Sequence, residues 1–346
     1  MDRTIDWVDG EIRLIDQTRL PDELVILRVT TLDALIDAIA RLAVRGAPAL
    51  GVAGAMGVAM LARRPGEDGR DAAVRADAVR LRGARPTAVN LAWGVDRALG
   101  RLADGPDAVL AEALVIRDED IAACAAMATR GADLVRRLVQ RPRIRAMTIC
   151  NTGSLATVER GTAFGVVDEL HRRGQLEEAL PLETRPLLQG SRLTAWELQR
   201  IGAPFRLLVD GAAASVLARG LADVVLIGAD RVTANGDTAN KVGSFSLALA
   251  ARHAGIPFIV VAPESTVDVA TPDGTAIAIE ERGADEVTSF RGVPAAPAGT
   301  QVLNPAFDVT PASLITAIVT DRRVIDVHAG DTPADPVQAG AVAARG

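Results

Sequence analysis

VVLIGADRVTANGDTANKVGSFSLALAARHAGIPFIVVAP, residues 224–263, holds the pattern on which the fold turns. The apolar run that opens it has the continuous character of a strand buried on both faces, and it ends in an acid, Asp230. A polar loop rich in Asn, Gly, Asp and Thr follows. An apolar-periodic helix is then predicted over 243–254, with Lys241 at its opening. A second apolar run occupies 256–262. Strand, helix, strand in this order is the building unit of a parallel sheet.

Working outward, strand-like runs recur at 144–150, about 178–183, 205–210 and 223–228. Helical patterns at 154–172, 191–201 and 212–219 lie between them. The alternation predicts an α/β fold whose C-terminal part, 121–330, is a doubly wound, Rossmann-like parallel sheet. Residues 1–120 read as a smaller, mainly helical N-terminal domain. Weak alternation over 1–28 suggests a hairpin or meander, and Thr31 caps a helix in TLDALIDAIARLAV. RGAPALG (45–51) feeds a second helix, whose small residues let a neighbouring backbone come close. PGEDGRDA (65–72) is a surface loop, and Thr87 caps a helix within 84–102. A helix over 118–140 leads into the second half. The last stretch, 331–346, is rich in Ala, Gly and Pro and reads as a flexible tail.

The chain of 346 residues carries a net charge of −6 and has no Lys/Arg-rich run interleaved with aromatics, so nucleic acid is not an expected partner. The apolar segment 46–62 is short and mostly Gly and Ala, a packed soluble helix and no membrane span. The acidic first residues lack a signal-peptide core, and the cytoplasm is the expected compartment. Two cysteines, Cys124 and Cys150, cannot build a disulfide framework or a zinc site alone. Three histidines exist, with His171 and His253 in the last turns of predicted helices and His328 near the tail. Neither a Ser-His-Asp triad nor a His-built metal site fits. No G-x-G-x-x-G fingerprint is present, so neither a dinucleotide cofactor nor a metal is expected.

Chemistry must then come from Asp, Glu, Cys, Ser, Thr, Lys and Arg. Lys241 is the chain's single lysine among thirty-eight basic residues. A lone ammonium suggests a place for a compact point charge rather than a guanidinium fork. Cys150 ends a strand and precedes a helix opening, NTGSLAT, where the dipole and free N–H groups favour a thiolate. Cys124, in an Ala-rich helix, reads as a packing residue. Burial would raise the pKa of Asp230 and suit it to general acid work, while Arg231 beside it would act the other way. Arg45 before Gly46 and Pro48 could form an anion site at a helix start. Arg85 precedes a helix in the same manner. Gln189 and Gly190 stand before another helix opening.

Six segments together resemble the methylthioribose-1-phosphate isomerase family, which is homologous to the regulatory alpha, beta and delta subunits of the eukaryotic initiation-factor guanine-exchange complex. They are RGAPALG (45–51), ARPTAVNLAWGV (84–95), TICNTGSLATVERGTAFGV (148–166), ETRPLLQGSRLTAWEL (183–198), residues 227–263 and NPAFDVTP (304–311). The resemblance covers most of the chain in the family's order. It implies an aldose–ketose isomerase of methionine salvage, converting 5-methylthioribose 1-phosphate to 5-methylthioribulose 1-phosphate without a redox cofactor. It implies Cys150 and Asp230 as the catalytic pair. Arg45, Gly46, Ala47, Arg85, Gln189, Asn240 and Lys241 become ligands of the sugar phosphate, and a homodimer is expected. Regulatory subunits generally lack this full set. A sibling isomerase acting on 5-deoxyribose 1-phosphate or ribose 1,5-bisphosphate would keep the same pair, and a non-catalytic regulatory protein is the rival from a different class.

Overall fold

The computed structural model describes residues 3–64, 70–85 and 88–336. Thr87, most of the loop expected at 65–72 and residues 337–346 of the expected tail lie outside the described residues.

Three short strands, β1 (Ile5–Val8), β2 (Glu11–Ile15) and β3 (Ile26–Val29), form an antiparallel meander. The helix α1 (Leu32–Ala40) follows, and the Thr31 hydroxyl caps it by accepting the Ala34 N–H. Next come α2 (Ala47–Ala62), α3 (Arg70–Arg82) and α4 (Val89–Leu99). Residues 49–62 of α2 are buried, the mark of a helix apolar all round. Its glycines let α4 approach backbone to backbone. A Cβ on Gly94 would fall 2.0 Å from the Gly51 carbonyl, and one on Gly54 would fall 2.8 Å from the Leu91 carbonyl.

The long helix α5 (Pro106–Leu138) begins well before the expected start near 118. It crosses residue 120 unbroken. Val109, Ala113 and Ile116 join the core around α2, while Cys124, Met127 and Val135 join the core of the large sheet.

The remaining elements are β4 (Ile144–Thr148), α6 (Ala163–Arg172), β5 (Leu176–Pro181), α7 (Ala195–Arg200), α8 (Ala213–Ala218) and β6 (Val224–Ile227). They continue as β7 (Arg231–Thr233), β8 (Thr238–Lys241), α9 (Ser244–Ala254), β9 (Phe258–Val261) and β10 (Val267–Asp268). The last are α10 (Asp285–Thr288), β11 (Ser289–Phe290), β12 (Val293–Pro294), β13 (Phe307–Thr310), β14 (Ala317–Val319) and β15 (Val324–Ile325). The large sheet has the order β15-β14-β9-β6-β4-β5, parallel throughout except for the edge pair β14–β15.

Alternation along these strands explains the double winding. Ala146, Val224, Leu226, Ile259 and Val261 face one core with α5 and α6. Met147, Val225, Ile227, Phe258 and Val260 face the other, with α8 and α9. Both faces are covered, so the strands read as unbroken apolar runs. The chain leaves β4 for β5 on one side, then returns to β6 and moves outward to β9 on the other. The order reverses between β4 and β6, which is where an open α/β sheet presents a crevice to ligands.

Several expectations need correction. Residues 205–210 form no strand: Phe205 and Leu208 make only isolated bridges to Ala179 and Leu182 at the sheet edge. The helix expected over 154–172 starts at Ala163, after a short 3-10 turn at Ser154–Ala156. The polar loop expected after Asp230 is a hairpin, β7–β8, inside a second sheet of order β10-β7-β8-β13. Lys241 therefore ends a strand paired with β13 and does not open a helix. Hydrophobic periodicity missed this sheet because its strands are short and polar, TANK and RVT among them. Among the described residues no helix is long and apolar enough to cross a membrane.

Candidate active site

Cys150 lies two residues beyond the end of β4 and is buried, with φ +64°. That is left-handed backbone, uncommon for a residue with a side chain. Two threonines hold it there. The Cys150 N–H donates to Thr184 Oγ1 at 2.8 Å, and Thr194 Oγ1 donates to the Cys150 carbonyl at 2.7 Å. Thr184 is itself left-handed, at φ +66°, and its hydroxyl donates to the Leu182 carbonyl at 2.9 Å. Paired outliers of this kind cluster at functional sites.

Asn151 comes next and is 3% exposed. Its side-chain carbonyl accepts a hydrogen bond from Arg45 Nη2, and its main-chain carbonyl accepts one from Arg45 Nη1 at 3.3 Å. Arg45 thus reaches from the start of α2 across to the end of β4. Gly46 makes this approach possible: at φ +93° it caps α2, and a Cβ there would lie 2.4 Å from the Ala156 carbonyl. Ala47 is the first residue of α2. Arg45 Nε is buried with no partner among the described residues.

Asp230 stands three residues past the end of β6, the neighbour of β4. The close approach of the two strand ends is tight at Gly228, where a Cβ would meet the Thr152 methyl at 2.7 Å. Burial pushes the Asp230 pKa up, against the pull of Lys241, Arg85 and Arg45; Glu280 adds to the rise. Arg231, expected to oppose the rise, pairs instead with Asp268 at 3.5 Å. Burial wins, which suits a carboxyl that must carry a proton.

Lys241 is 8% exposed and lies on β8. Its Nζ donates to the Ala306 carbonyl at 2.8 Å and sits 4.5 Å from the centre of the Phe307 ring. Burial lowers its pKa, while the charges of Cys150 and Asp230 favour the ammonium. Burial lowers the Arg45 pKa as well, against the pull of Cys150, Glu197 and Asp230. Cys150, Asp230, Arg45 and Lys241 therefore share one field, and Arg85 acts on the last three. Arg85 stands ahead of α4, 3.8 Å from a Glu280 oxygen.

Gln189 is 4% exposed and heads a single π-helical turn, Gly190–Thr194, that runs into α7. Its Oε1 has no partner among the described residues. Gly190 seats this turn against the end of β5, since a Cβ there would lie 1.6 Å from the Leu182 carbonyl. Asn240, beside Lys241 on β8, donates to Ser244 Oγ at 2.8 Å and so engages the start of α9. His171 and His253 lie in the last turns of α6 and α9, away from this assembly.

Sequence reasoning missed Thr184, Thr194, Asn151 and Glu197. Asn151 had a signal in its adjacency to Cys150. Glu197 had one too: an acid inside the apolar stretch LTAWEL is out of place unless paired. Among the described residues no group of three His, Cys, Asp or Glu could hold a metal ion. A cleft of about 830 Å³ lined by Trp93, Arg97, Glu119, Asp120 and Arg323 contains none of the candidate site residues.

The family model of the initiation factor 2 subunit family matches residues 43–326. The probable bifunctional methylthioribose-1-phosphate isomerase/methylthioribulose-1-phosphate dehydratase of Nocardia farcinica is 55% identical over 97% of this chain, which spans only 60% of that protein's length. The methylthioribose-1-phosphate isomerase of Anaeromyxobacter sp. (strain Fw109-5) is 51% identical, with 91% of each chain covered. The 5-deoxyribose 1-phosphate isomerase of Moorella thermoacetica is 46% identical, with 93% of each covered. Among solved structures, 5-methylthioribose 1-phosphate isomerase of Pyrococcus horikoshii superposes with a TM-score of 0.86 at 39% identity, covering 94% of this chain and 92% of that one. The delta subunit of initiation factor eIF-2B from A. fulgidus gives 0.84 at 39% identity, covering 94% and 96%.

Proposed function

The chain belongs to the initiation factor 2 subunit family, and on that premise we propose that its site isomerises 5-methylthioribose 1-phosphate to 5-methylthioribulose 1-phosphate. One observation carries the reading. Cys150 and Asp230 stand just beyond the carboxyl ends of adjacent parallel strands, where the sheet order reverses, with Lys241 and Arg45 within electrostatic reach of both.

An aldose with phosphate on its anomeric carbon cannot open its ring as a free sugar does. Asp230, kept protonated by burial, gives its proton to the ring oxygen as the C1–O bond breaks. Hydrogen then passes from C2 to C1, and the C2 hydroxyl proton returns to Asp230, so the enzyme ends as it began. Cys150 removes the C2 hydrogen as a proton through an enediol-like intermediate, or shapes the site while hydride migrates. Arg45, Arg85 and Lys241 hold the phosphate, aided by Gln189, Asn240 and the backbone at Gly46 and Ala47, and so fix the C1–C2 bond against the acid and base.

The same reading treats 1–120 and 121–330 as the two working units, with 331–346 as a tail. It makes the protein a cytoplasmic homodimer that needs neither redox cofactor nor metal. The Moorella relative favours a second substrate, 5-deoxyribose 1-phosphate, which would use the same pair. The test is turnover with 5-methylthioribose 1-phosphate, 5-deoxyribose 1-phosphate and ribose 1,5-bisphosphate side by side. The first should give the highest kcat/KM. No ketose from any of the three would sink the enzyme reading in favour of a regulatory protein.

A further inference from the structure

Glu197, on α7, is a buried carboxylate at 4% exposure that touches the Cys150 loop from behind. Its Oε1 accepts from the Ser154 hydroxyl at 2.6 Å and the Leu155 N–H at 3.3 Å. Its Oε2 accepts from Asn151 Nδ2 at 2.5 Å. No side chain fits between carboxylate and loop, because a Cβ on Gly153 would sit 2.1 Å from Oε2. Burial raises the Glu197 pKa; the donors Ser154, Asn151 and Leu155 and the charge of Arg45 oppose the rise.

We propose that Glu197 is a positioning residue: it fixes which way the Asn151 amide points, and through that amide it orients the Arg45 guanidinium for the substrate phosphate. The proposal rests on the reading of Arg45 as a phosphate ligand. The two ends of an amide are nearly equal in size, so shape alone does not choose between them. Thr194 Oγ1 accepts from the amide at 3.3 Å, and the Glu197 carboxylate, met by donors on both oxygens, decides the orientation by accepting. It takes the NH2 end of Asn151 and leaves the carbonyl end for Arg45. Arg45, an obligate donor, then grips Asn151 twice, on the side-chain and main-chain oxygens. Those bonds engage two of its five N–H groups, and among the rest is the buried, unpartnered Nε–H. An unmet buried donor is costly, and an incoming phosphate oxygen would remove that cost.

The chain of polarity is testable by reversal. In Glu197→Gln the oxygen must still serve Ser154 and Leu155, so the new NH2 faces Asn151. The Asn151 amide turns over and presents its own NH2 to Arg45. The expected result is a rise in KM of about 10- to 100-fold, the loss of one charge-assisted bond, with competitive inhibition by inorganic phosphate weakened in parallel. Asn151→Asp alone sets two carboxylates together and should also be impaired. The double variant Glu197→Gln/Asn151→Asp restores the order: the introduced amide gives its NH2 to the introduced carboxylate, which accepts from Arg45 again. It should recover most of the lost affinity.

Arg45→Gln is measured alongside. If it leaves KM and phosphate inhibition unchanged, the reading of Arg45 fails and the proposal with it. If Arg45→Gln is impaired but Glu197→Gln behaves as the parent, the proposal alone is wrong. A double variant no better than Glu197→Gln, folded or unfolded by circular dichroism, also overturns it, since a purely structural carboxylate would not be rescued by moving the charge to the neighbouring side chain.

Discussion

Cys150 gives its backbone N–H to the Thr184 hydroxyl at 2.8 Å while both residues hold left-handed φ angles, +64° and +66°. Each costs roughly 1–2 kcal/mol for a residue bearing a Cβ, so the bond between them works against strain on both sides. Asp210 adds to the restraint by accepting the Thr184 N–H at 2.8 Å.

Thr184→Ser keeps the hydroxyl and should behave almost as the parent. Thr184→Val keeps the shape but leaves the Cys150 N–H and the Leu182 carbonyl unmet, costing about 1–3 kcal/mol of stability. Turnover should fall further than stability, because a misplacement of about 1 Å can cost about 10²-fold. Denaturant melts and kcat measured on the same samples separate the two effects. Cys150→Ser should keep the fold and lose turnover by orders of magnitude, whereas Cys124→Ser, fully buried against α6 and the sheet, should keep turnover. Equal activity in Thr184→Val and Thr184→Ser would mean that the clamp does not position the thiol.

For Asp230 the expected signature is a pH limb. Burial raises its pKa, so the protonated form persists above the ordinary carboxylate range. As a general acid it should lose activity as pH rises through that raised value. Asp230→Asn cannot deliver a proton, and its defect should lie in kcat, with the residual rate flat across the same limb. A parental profile that rises with pH there would assign the acid elsewhere.

Lys241 should be intolerant of both conservative replacements. Lys241→Gln removes a charge-assisted contact worth roughly 1.5–3 kcal/mol, or about ten- to a hundredfold in affinity. Lys241→Arg should also be impaired, because the compact ammonium is buried between the Ala306 carbonyl and the Phe307 ring at a strand end, and a planar fork does not reproduce that point charge. Inhibition constants for inorganic phosphate report this directly. Parental inhibition of Lys241→Gln would remove the phosphate from this ammonium.

Asp120 offers a prediction away from the site. It accepts the Val158 N–H at 2.8 Å, and burial raises its pKa from 3.8 to about 7. Between those values the folded state holds a proton that the unfolded state has lost, so stability falls as pH rises through the window and levels off above it. From about pH 5 to about pH 8 the loss is about 2–3 kcal/mol, at about 1.4 kcal/mol per unit. Asp120→Asn can still accept the Val158 N–H and should erase that part of the slope. Parallel stability curves for parent and variant would show that Asp120 stays ionised.

The alternation of apolar runs with helical patterns was enough to read the parallel sheet, because short β-branched runs such as VVLI and FIVV suit strands buried on both faces. The hairpin carrying Lys241 was not legible, since strands of three and four residues with Thr and Asn look like a loop. Cys150 and Asp230 could be singled out as strand-end polar residues. The support behind them could not: Thr184, Thr194 and Glu197 lie 34, 44 and 46 residues from the Cys150–Asn151 pair they hold. No local pattern encodes contacts at that separation. Only the fold returning β5 and α7 to the side of β4 brings them together.

The glycine seam between α2 and α4 has a mechanical consequence. What a new methyl would meet there is carbonyl oxygen, at Gly51 and Leu91, and a carbonyl has no rotamer to change. The seam has no slack. An added atom is absorbed by moving one helix bodily against the other, and where α2 yields, the displacement carries from end to end, over about 24 Å. Arg45 stands one residue ahead of the first turn's cap and must travel with it. The protein thus behaves as a calliper whose jaw is Arg45 and whose gauge is the backbone clearance of two helices.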